Sequence, residues 1–311
     1  MTQGSTAELV VIVNQASGKP KDRDLVDRIE KAFADQGKRP DIRVPADPSG
    51  LPQLAAAAVR ERPAAIVAAG GDGTIRTVAA AVAGSGIPFG VIPLGTFNWF
   101  ARDLGLPDDT AACAEIIRSG TLRDIGVGEI NGRVFLINCS LGLYRRLIEE
   151  RERHKSRFGR NRLVAYLSGL YTAQRPHPFY GIDLAIDREH RQVRTPLIFV
   201  AHNKLQLESY GFDVARVRDF GRLVAIVPKA VGRGVLVKLA LRGLLGRLAG
   251  APELDVFEAR EIRIGSRRGR VKVAIDGEVV RCTMPLTIAI ADRALRVLVP
   301  DGKNAAEEPR S

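Results

Sequence analysis

Apolar positions in the first hundred residues fall into short solid runs separated by stretches with helical spacing. Glu8 to Asn14 (ELVVIVN) is a continuous apolar run between polar residues, the pattern of a strand buried on both faces. Leu25, Val26, Ile29 and Phe33 then recur on one face of a helix. The alternation continues with a strand at Asp41 to Val44, a helix at Leu54 to Arg60, a strand at Ala64 to Ala69, a helix at Ile75 to Val82 and a strand at Phe89 to Pro93. Such a succession predicts an open parallel α/β sheet with right-handed crossovers. Ligands of these sheets bind beyond the carboxyl ends of the strands, which singles out the turns after the third and fourth strands.

Beyond about residue 125 the texture becomes β-rich. Arg133 to Asn138, Gly181 to Ile186, Thr195 to Ala201, Leu223 to Val227, Glu261 to Ile264 and Val271 to Ile275 read as strands of an antiparallel domain. Leu141 to Leu170 and Val235 to Leu248 read as helical, the second with a broad apolar arc opposite Lys238 and Arg242. Leu286 to Ile290 and Ala294 to Val299 read as two final strands that pack back on the first domain. The expected organisation is an α/β domain at 1–125, a β-rich domain at 126–300 and a disordered tail at 301–311.

Composition narrows the partners. No apolar run approaches the roughly 18 residues of a membrane span, and Met1 to Leu9 lacks an export-signal pattern, so a cytoplasmic location is expected. Cys113, Cys139 and Cys282 lack paired or metal-ligand spacing and read as reduced, buried small hydrophobes. His154, His177, His190 and His202 also lack ligand spacing and read as surface or loop residues. The net charge of +12 favours anionic partners. Aromatics are only 5% of the chain and never interleave with a basic stretch as a stacking ladder, which argues against nucleic acid. An anionic membrane surface fits better, with Arg145, Arg146, Arg151, Arg153, Lys155, Arg157, Arg160 and Arg162 as one candidate contact. A solvated helix face laced with ion pairs explains the same residues equally well. A homodimer stays open.

Three segments carry candidate chemistry. Gly70-Gly71-Asp72-Gly73-Thr74 joins a strand end to a helix start, where glycines permit close backbone approach and the helix N-terminus favours an anion. Thr74 can cap the helix or donate to a phosphate. Asp72 repels phosphate and makes sense beside a Mg²⁺ ion or its water shell. Gly95-Thr96-Phe97-Asn98 lies at the next strand end, with Gly95 for close approach and Thr96 and Asn98 as hydrogen-bonding groups; Asn98 also reads as a simple N-cap. Asn14, Ser17 and Gly18, after the first strand, could complete a nucleotide cradle. Asp276-Gly277-Glu278 follows a strand and, alone, reads as a hairpin turn.

Together these segments resemble the diacylglycerol kinase catalytic-domain family, which includes bacterial lipid kinases and sphingosine kinases. Its GGDGT motif stands at Gly70 to Thr74, its GTxN motif at Gly95 to Asn98 and its DGE motif at Asp276 to Glu278. The resemblance spans almost the whole chain. It implies a phosphofructokinase-like nucleotide-binding domain, a C-terminal β-sandwich that helps bind lipid, and ATP with Mg²⁺ as cofactors. It further implies that Gly70 to Thr74 and Thr96 hold phosphates, that Asp276 or Glu278 is the general base for a lipid hydroxyl, and that Asp124 orients them. Three positions depart from the family pattern. Gln15 replaces a proline, no threonine stands near Pro45, and Asp219 precedes Phe220-Gly221 where an Asp-Gly pair would hold a second, structural Mg²⁺. NAD kinases share GGDGT, and a nucleotide- or lipid-binding module without turnover is the non-enzymatic alternative.

Overall fold

The structure is a computed structural model that describes residues 9–14, 24–35, 39–142, 180–187, 189–213, 221–229, 232–266 and 269–301. The expected helix over residues 143–170, its basic run, the metal-loop residue Asp219, the cradle residues Ser17 and Gly18, and the tail at 302–311 lie outside the described residues.

The chain divides into two compact units, one made of residues 1–127 with 292–311, the other of residues 128–291. The chain passes between them within the strands Thr121–Ile130 and Leu286–Val299. In the first unit β1 (Leu9–Val13), α1 (Leu25–Ala34), β2 (Asp41–Arg43), α2 (Leu51–Glu61), β3 (Ala65–Gly70), α3 (Asp72–Val82) and β4 (Phe89–Pro93) alternate as the apolar pattern predicts. Two helices follow, α4 (Trp99–Asp103) and α5 (Thr110–Ser119), then β5 (Thr121–Ile130). The strands pair in parallel in the order β2-β1-β3-β4, with Val11 beside Val67 and Ala68 beside Val91. The last strand of the chain joins the far edge, Val297 lying parallel to Phe89. Both sheet faces are covered, which explains why β1 and β3 are apolar at every position. Ile29 and Phe33 of α1 and Ile117 of α5 pack on the face that carries Val11, Val13 and Val67.

The second unit is a sandwich of antiparallel sheets. Its strands are β6 (Arg133–Phe135), β7 (Asn138–Gly142), β8 (Tyr180–Ile186), β9 (Glu189–Thr195), β10 (Leu197–Ala201), β11 (Leu223–Pro228), β12 (Leu254–Ala259), β13 (Glu261–Gly265), β14 (Arg270–Ile275), β15 (Glu278–Thr283) and the first part of β16 (Leu286–Val299). One sheet runs β12-β11-β10-β7-β14-β15; the other places β13 between β8 and β16, with β9 beyond β8. Their facing residues, among them Cys139, Val200 and Val273 on one side and Leu184, Ile264 and Ile288 on the other, form one core. Among the described residues two helices decorate it, α6 (Lys204–Ser209) and α7 (Arg233–Leu244).

Three sequence expectations are corrected here. The two final strands are a single strand, β16, because Ala291 to Arg293 continue in extended conformation. The run Arg133 to Asn138 is split into β6 and β7, because the amides of Leu136 and Ile137 turn away from a ladder to meet the Asp276 carboxylate. Leu141 and Gly142, expected to start a helix, instead close β7. No helix among the described residues is long and apolar enough to cross a membrane.

Candidate active site

The first unit brings Asn14, the GGDGT turn and the GTxN turn together. Gly70 is compelled to be glycine by Thr74, since a Cβ there would sit 2.6 Å from the Thr74 Cβ. Gly71 is the N-cap of α3 and extended, and no side chain caps the helix, whose first intrahelical bond runs from the Ile75 amide to the Gly71 carbonyl (3.0 Å). The opening turn of a helix lies outside that ladder and carries a partial positive charge, so it suits an anion. At Gly73 a Cβ would meet nothing within 4 Å, so the turn opens onto space.

The second turn is clamped against the first. The Leu94 amide donates to the Gly70 carbonyl (2.9 Å), and a Cβ on Gly95 would lie 3.0 Å from the Gly71 Cα. Asn98 acts as the latch. It adopts a left-handed conformation (φ 50°), accepts the Gly95 amide on Oδ1 (2.9 Å) and donates from Nδ2 to Asp108 (3.0 Å). It occupies the N-cap position of α4 without a side-chain capping bond, so its amide group serves the loop and not the helix. Asp72, in the first turn of α3, accepts the Phe100 amide of α4 (3.4 Å), a further link between the turns. Thr96 is exposed, whereas Thr74 is buried and its hydroxyl accepts a hydrogen bond from Asn14 Nδ2 (3.0 Å). The geometry thus makes Thr74 a brace between β1 and the glycine turn.

Asp124 lies elsewhere in this unit, on β5, with its side chain 66% exposed and 3.4 Å from the Arg296 guanidinium. An ion pair this exposed contributes little to stability.

Asp276 and Glu278 belong to the second unit. Asp276 and Gly277 both have positive φ (44° and 87°) and form the two-residue turn of the β14–β15 hairpin, with Ile275 paired to Glu278. The hairpin reading of Asp-Gly therefore holds, but the aspartate does more. Its carboxylate accepts the backbone amides of Leu136 (2.7 Å), Ile137 (2.9 Å) and Asn138 (2.9 Å), and its own amide donates to the Asn138 carbonyl (2.9 Å). Three charge-assisted bonds bind the connection between β6 and β7 to the hairpin. Glu278 opens β15 and is exposed.

Behind this connection lies a buried polar group that the sequence reading did not single out. Asn138 donates to Gln206 (3.0 Å), whose backbone amide is capped by Asn203 (2.9 Å) at the start of α6. His202, expected at the surface, is 1% exposed, and its Nε2 donates to the Phe135 carbonyl (3.2 Å). Burial lowers its pKa to about 4, so the imidazole is neutral at physiological pH. A polar pair, His202-Asn203, directly after the apolar strand Leu197–Ala201 was the available signal, and a helix-cap asparagine explains half of it. The three cysteines are buried and form no disulfide. Desolvation pushes the Cys113 thiol up to about 12 and those of Cys139 and Cys282 upward, which makes them inert.

The glycine turns fit a nucleotide triphosphate: a Cβ has no room at Gly70 or Gly95 and open space at Gly73, beside a helix N-terminus. Among the described residues no group of three His, Cys, Asp or Glu converges on one point. Asp72 alone fits Mg²⁺, which usually takes one or two carboxylates and completes its shell with phosphate and water.

Comparison with known proteins decides what this arrangement belongs to. Residues 8–130 match the family Diacylglycerol kinase catalytic domain. Over these residues the chain resembles a diacylglycerol kinase catalytic domain. A protein of Mycobacterium tuberculosis named Diacylglycerol kinase is 27% identical over 255 residues, 79% of this chain and 80% of that one. A Cronobacter sakazakii protein named Probable lipid kinase YegS-like is 32% identical over 149 residues, 46% of this chain and 50% of its own. The chain thus spans about half the length of some curated relatives it matches. A crystal structure of a diacylglycerol kinase from Bacillus anthracis str. Sterne shares the fold with a TM-score of 0.66 at 16% identity, over 94% of this chain and 97% of that one. The matched residues contain both glycine turns and Asp124; Asp276 and Glu278 lie beyond them.

Proposed function

We propose that this protein is an ATP-dependent lipid kinase that transfers the γ-phosphate to a hydroxyl of a diacylglycerol-like lipid, a step of phospholipid metabolism, while peripherally bound to a membrane. The observation that carries the reading is the interlocked pair of glycine turns at the start of α3, inside the segment that matches the diacylglycerol kinase catalytic domain.

Phosphoryl transfer demands positioning and charge stabilisation more than covalent chemistry. The amides of the GGDGT turn and the exposed Thr96 hydroxyl bind the phosphates, and Asn98 keeps the second turn in register. Asp72 would hold Mg²⁺, which would supply charge neutralisation to the transferred group. The second unit binds the acceptor lipid. Glu278 takes the proton of its hydroxyl, because Asp276 spends its carboxylate on three backbone amides and acts as a positioning residue for the hairpin that carries Glu278. Asp124 is an orienting residue through its pairing with Arg296.

The test is transfer from γ-labelled ATP with Mg²⁺ to a panel of lipids in mixed micelles, with NAD present as a competing acceptor. Labelled lipid supports the reading and names the acceptor. Labelled NADP, or nucleotide binding with no labelled product on any lipid, overturns it.

A further inference from the structure

Large apolar side chains are scarce on the described surface, and half of them occupy one turn. Val44, Leu122 and Val256 are scattered singly, whereas Leu241, Leu244 and Leu245 are 45%, 38% and 68% exposed at the C-terminal end of α7. Single exposed residues are ordinary, but a cluster is not.

The cluster has a regular origin. Leu241 and Leu245 are spaced i and i+4, and Leu244 lies three residues beyond Leu241, so the three share one side of the helix end. The opposite side already has its core: Leu236 and Leu239 are buried with Ala251, and Leu248 and Leu254 pack against them. The outer stripe is therefore surplus to folding. Its tip is held firmly. The Arg242 guanidinium donates to the carbonyls of Arg247 (2.8 Å) and Ala249 (3.4 Å), and the Leu248 amide donates to Tyr210 (2.9 Å).

Charge identifies the occupant. From Lys229 to Pro252 the sequence holds Lys229, Arg233, Lys238, Arg242 and Arg247 and no acidic residue. Lys238 is paired with Glu253 and Lys229 with Asp255, while Arg233 and Arg247 are exposed and meet no acidic side chain among the described residues. An apolar ridge bordered by unpaired cations is the pattern of an interfacial helix on an anionic bilayer, where leucines enter the acyl boundary and guanidinium groups stay with the headgroups. A protein partner of the same affinity would call for an interface core depleted of charge and rich in aromatics, and this ridge has neither Phe, Tyr nor Trp.

We infer that the C-terminal turn of α7 is a membrane-docking wedge, with Leu241, Leu244 and Leu245 inserting into an anionic leaflet and Arg233 and Arg247 binding its headgroups. Such docking serves the lipid-kinase reading above and rests on it for its purpose, but its test does not depend on catalysis.

The full chain is sedimented with vesicles of phosphatidylglycerol or of phosphatidylcholine. Wild type should prefer the anionic vesicles, and the double variant Leu241→Asp/Leu245→Asp should bind them at least about tenfold more weakly. Leu245→Trp supplies a second readout on a folded protein: its emission should shift to the blue on anionic vesicles. Turnover on a dispersed short-chain lipid should survive the double substitution while turnover on vesicle lipid falls. Unchanged vesicle binding by the double variant, or no blue shift for Leu245→Trp, overturns the inference, as does a homodimer in sedimentation equilibrium that the double substitution dissolves. If wild type docks through this turn yet phosphorylates no lipid, the function reading fails and the docking surface stands.

Discussion

Replacing Asp276 with Asn separates a base from a positioning residue. The substitution preserves size and tolerates the left-handed backbone (φ 44°). Oδ1, which accepts the amides of both Ile137 and Asn138, can remain an acceptor, but Oδ2 becomes an NH2 group facing the Leu136 amide, two donors in opposition. A hydrogen bond to a charged group is worth about 1.5–3 kcal/mol, and neutralising the acceptor roughly halves the other two. The connection between β6 and β7 should therefore lose at least about 3 kcal/mol of local stability, equivalent to at least about 100-fold in an opening equilibrium. Hydrogen–deuterium exchange read on a peptide spanning 133–142 measures this directly. Exchange there should accelerate on that scale, while peptides covering α3 and β3 keep their wild-type rates. Wild-type exchange across 133–142 together with abolished turnover would refute the positioning role and return the base to Asp276.

Three further outcomes follow from the geometry. Gly95→Ala places a methyl group 2.7 Å from Asn98 Oδ1 and 3.0 Å from the Gly71 Cα, so both turns must part; ATP affinity by calorimetry should fall at least about tenfold, and an unchanged affinity would dissociate these turns from the nucleotide. Asn98→Ala removes the latch to Gly95 and Asp108 and leaves a non-glycine residue in the left-handed region, at a cost of about 2 kcal/mol; an unshifted urea midpoint would contradict it. For His202 the folded-state pKa of about 4 lies below the unfolded value, so as pH falls the unfolded chain takes up the proton first and stability is lost between about pH 6.5 and 4. The loss at pH 5 should be about 2 kcal/mol. His202→Gln should flatten that part of the stability profile, and an identical profile in the variant would count against the buried neutral imidazole.

The parallel sheet was legible because its strands are buried on both faces and its helices on one. Those periodicities differ, so β1, α1, β3, α3 and β4 can be read with little help from tertiary structure. The glycine turns were legible for the same local reason: Gly70, Gly71 and Gly73 stand where a strand becomes a helix. What Thr74 and Asp276 do was not legible, because their partners are distant in sequence. Thr74 meets Asn14, 60 residues away, and Asp276 meets Leu136, 140 residues away. The second case also explains why one apolar run, Arg133 to Asn138, became two strands: a remote carboxylate competes for amides that the local pattern assigned to a ladder. His202 eluded the reading because a lone histidine flanking a strand has no spacing to betray burial. The strand β15 escaped for a related reason, since Glu278 to Thr283 alternates weakly and is half exposed.

In the proposed division of labour the glycine turns bind ATP and Glu278 activates a lipid hydroxyl. A single-turnover rapid-quench experiment with γ-labelled ATP, Mg²⁺ and the acceptor lipid, run on wild type and on Glu278→Gln, tests it most directly. Wild type should yield labelled lipid, and the variant should keep wild-type ATP affinity with transfer slowed at least about 100-fold. Equal transfer by the two proteins, or release of inorganic phosphate from wild type with no labelled lipid, would contradict it.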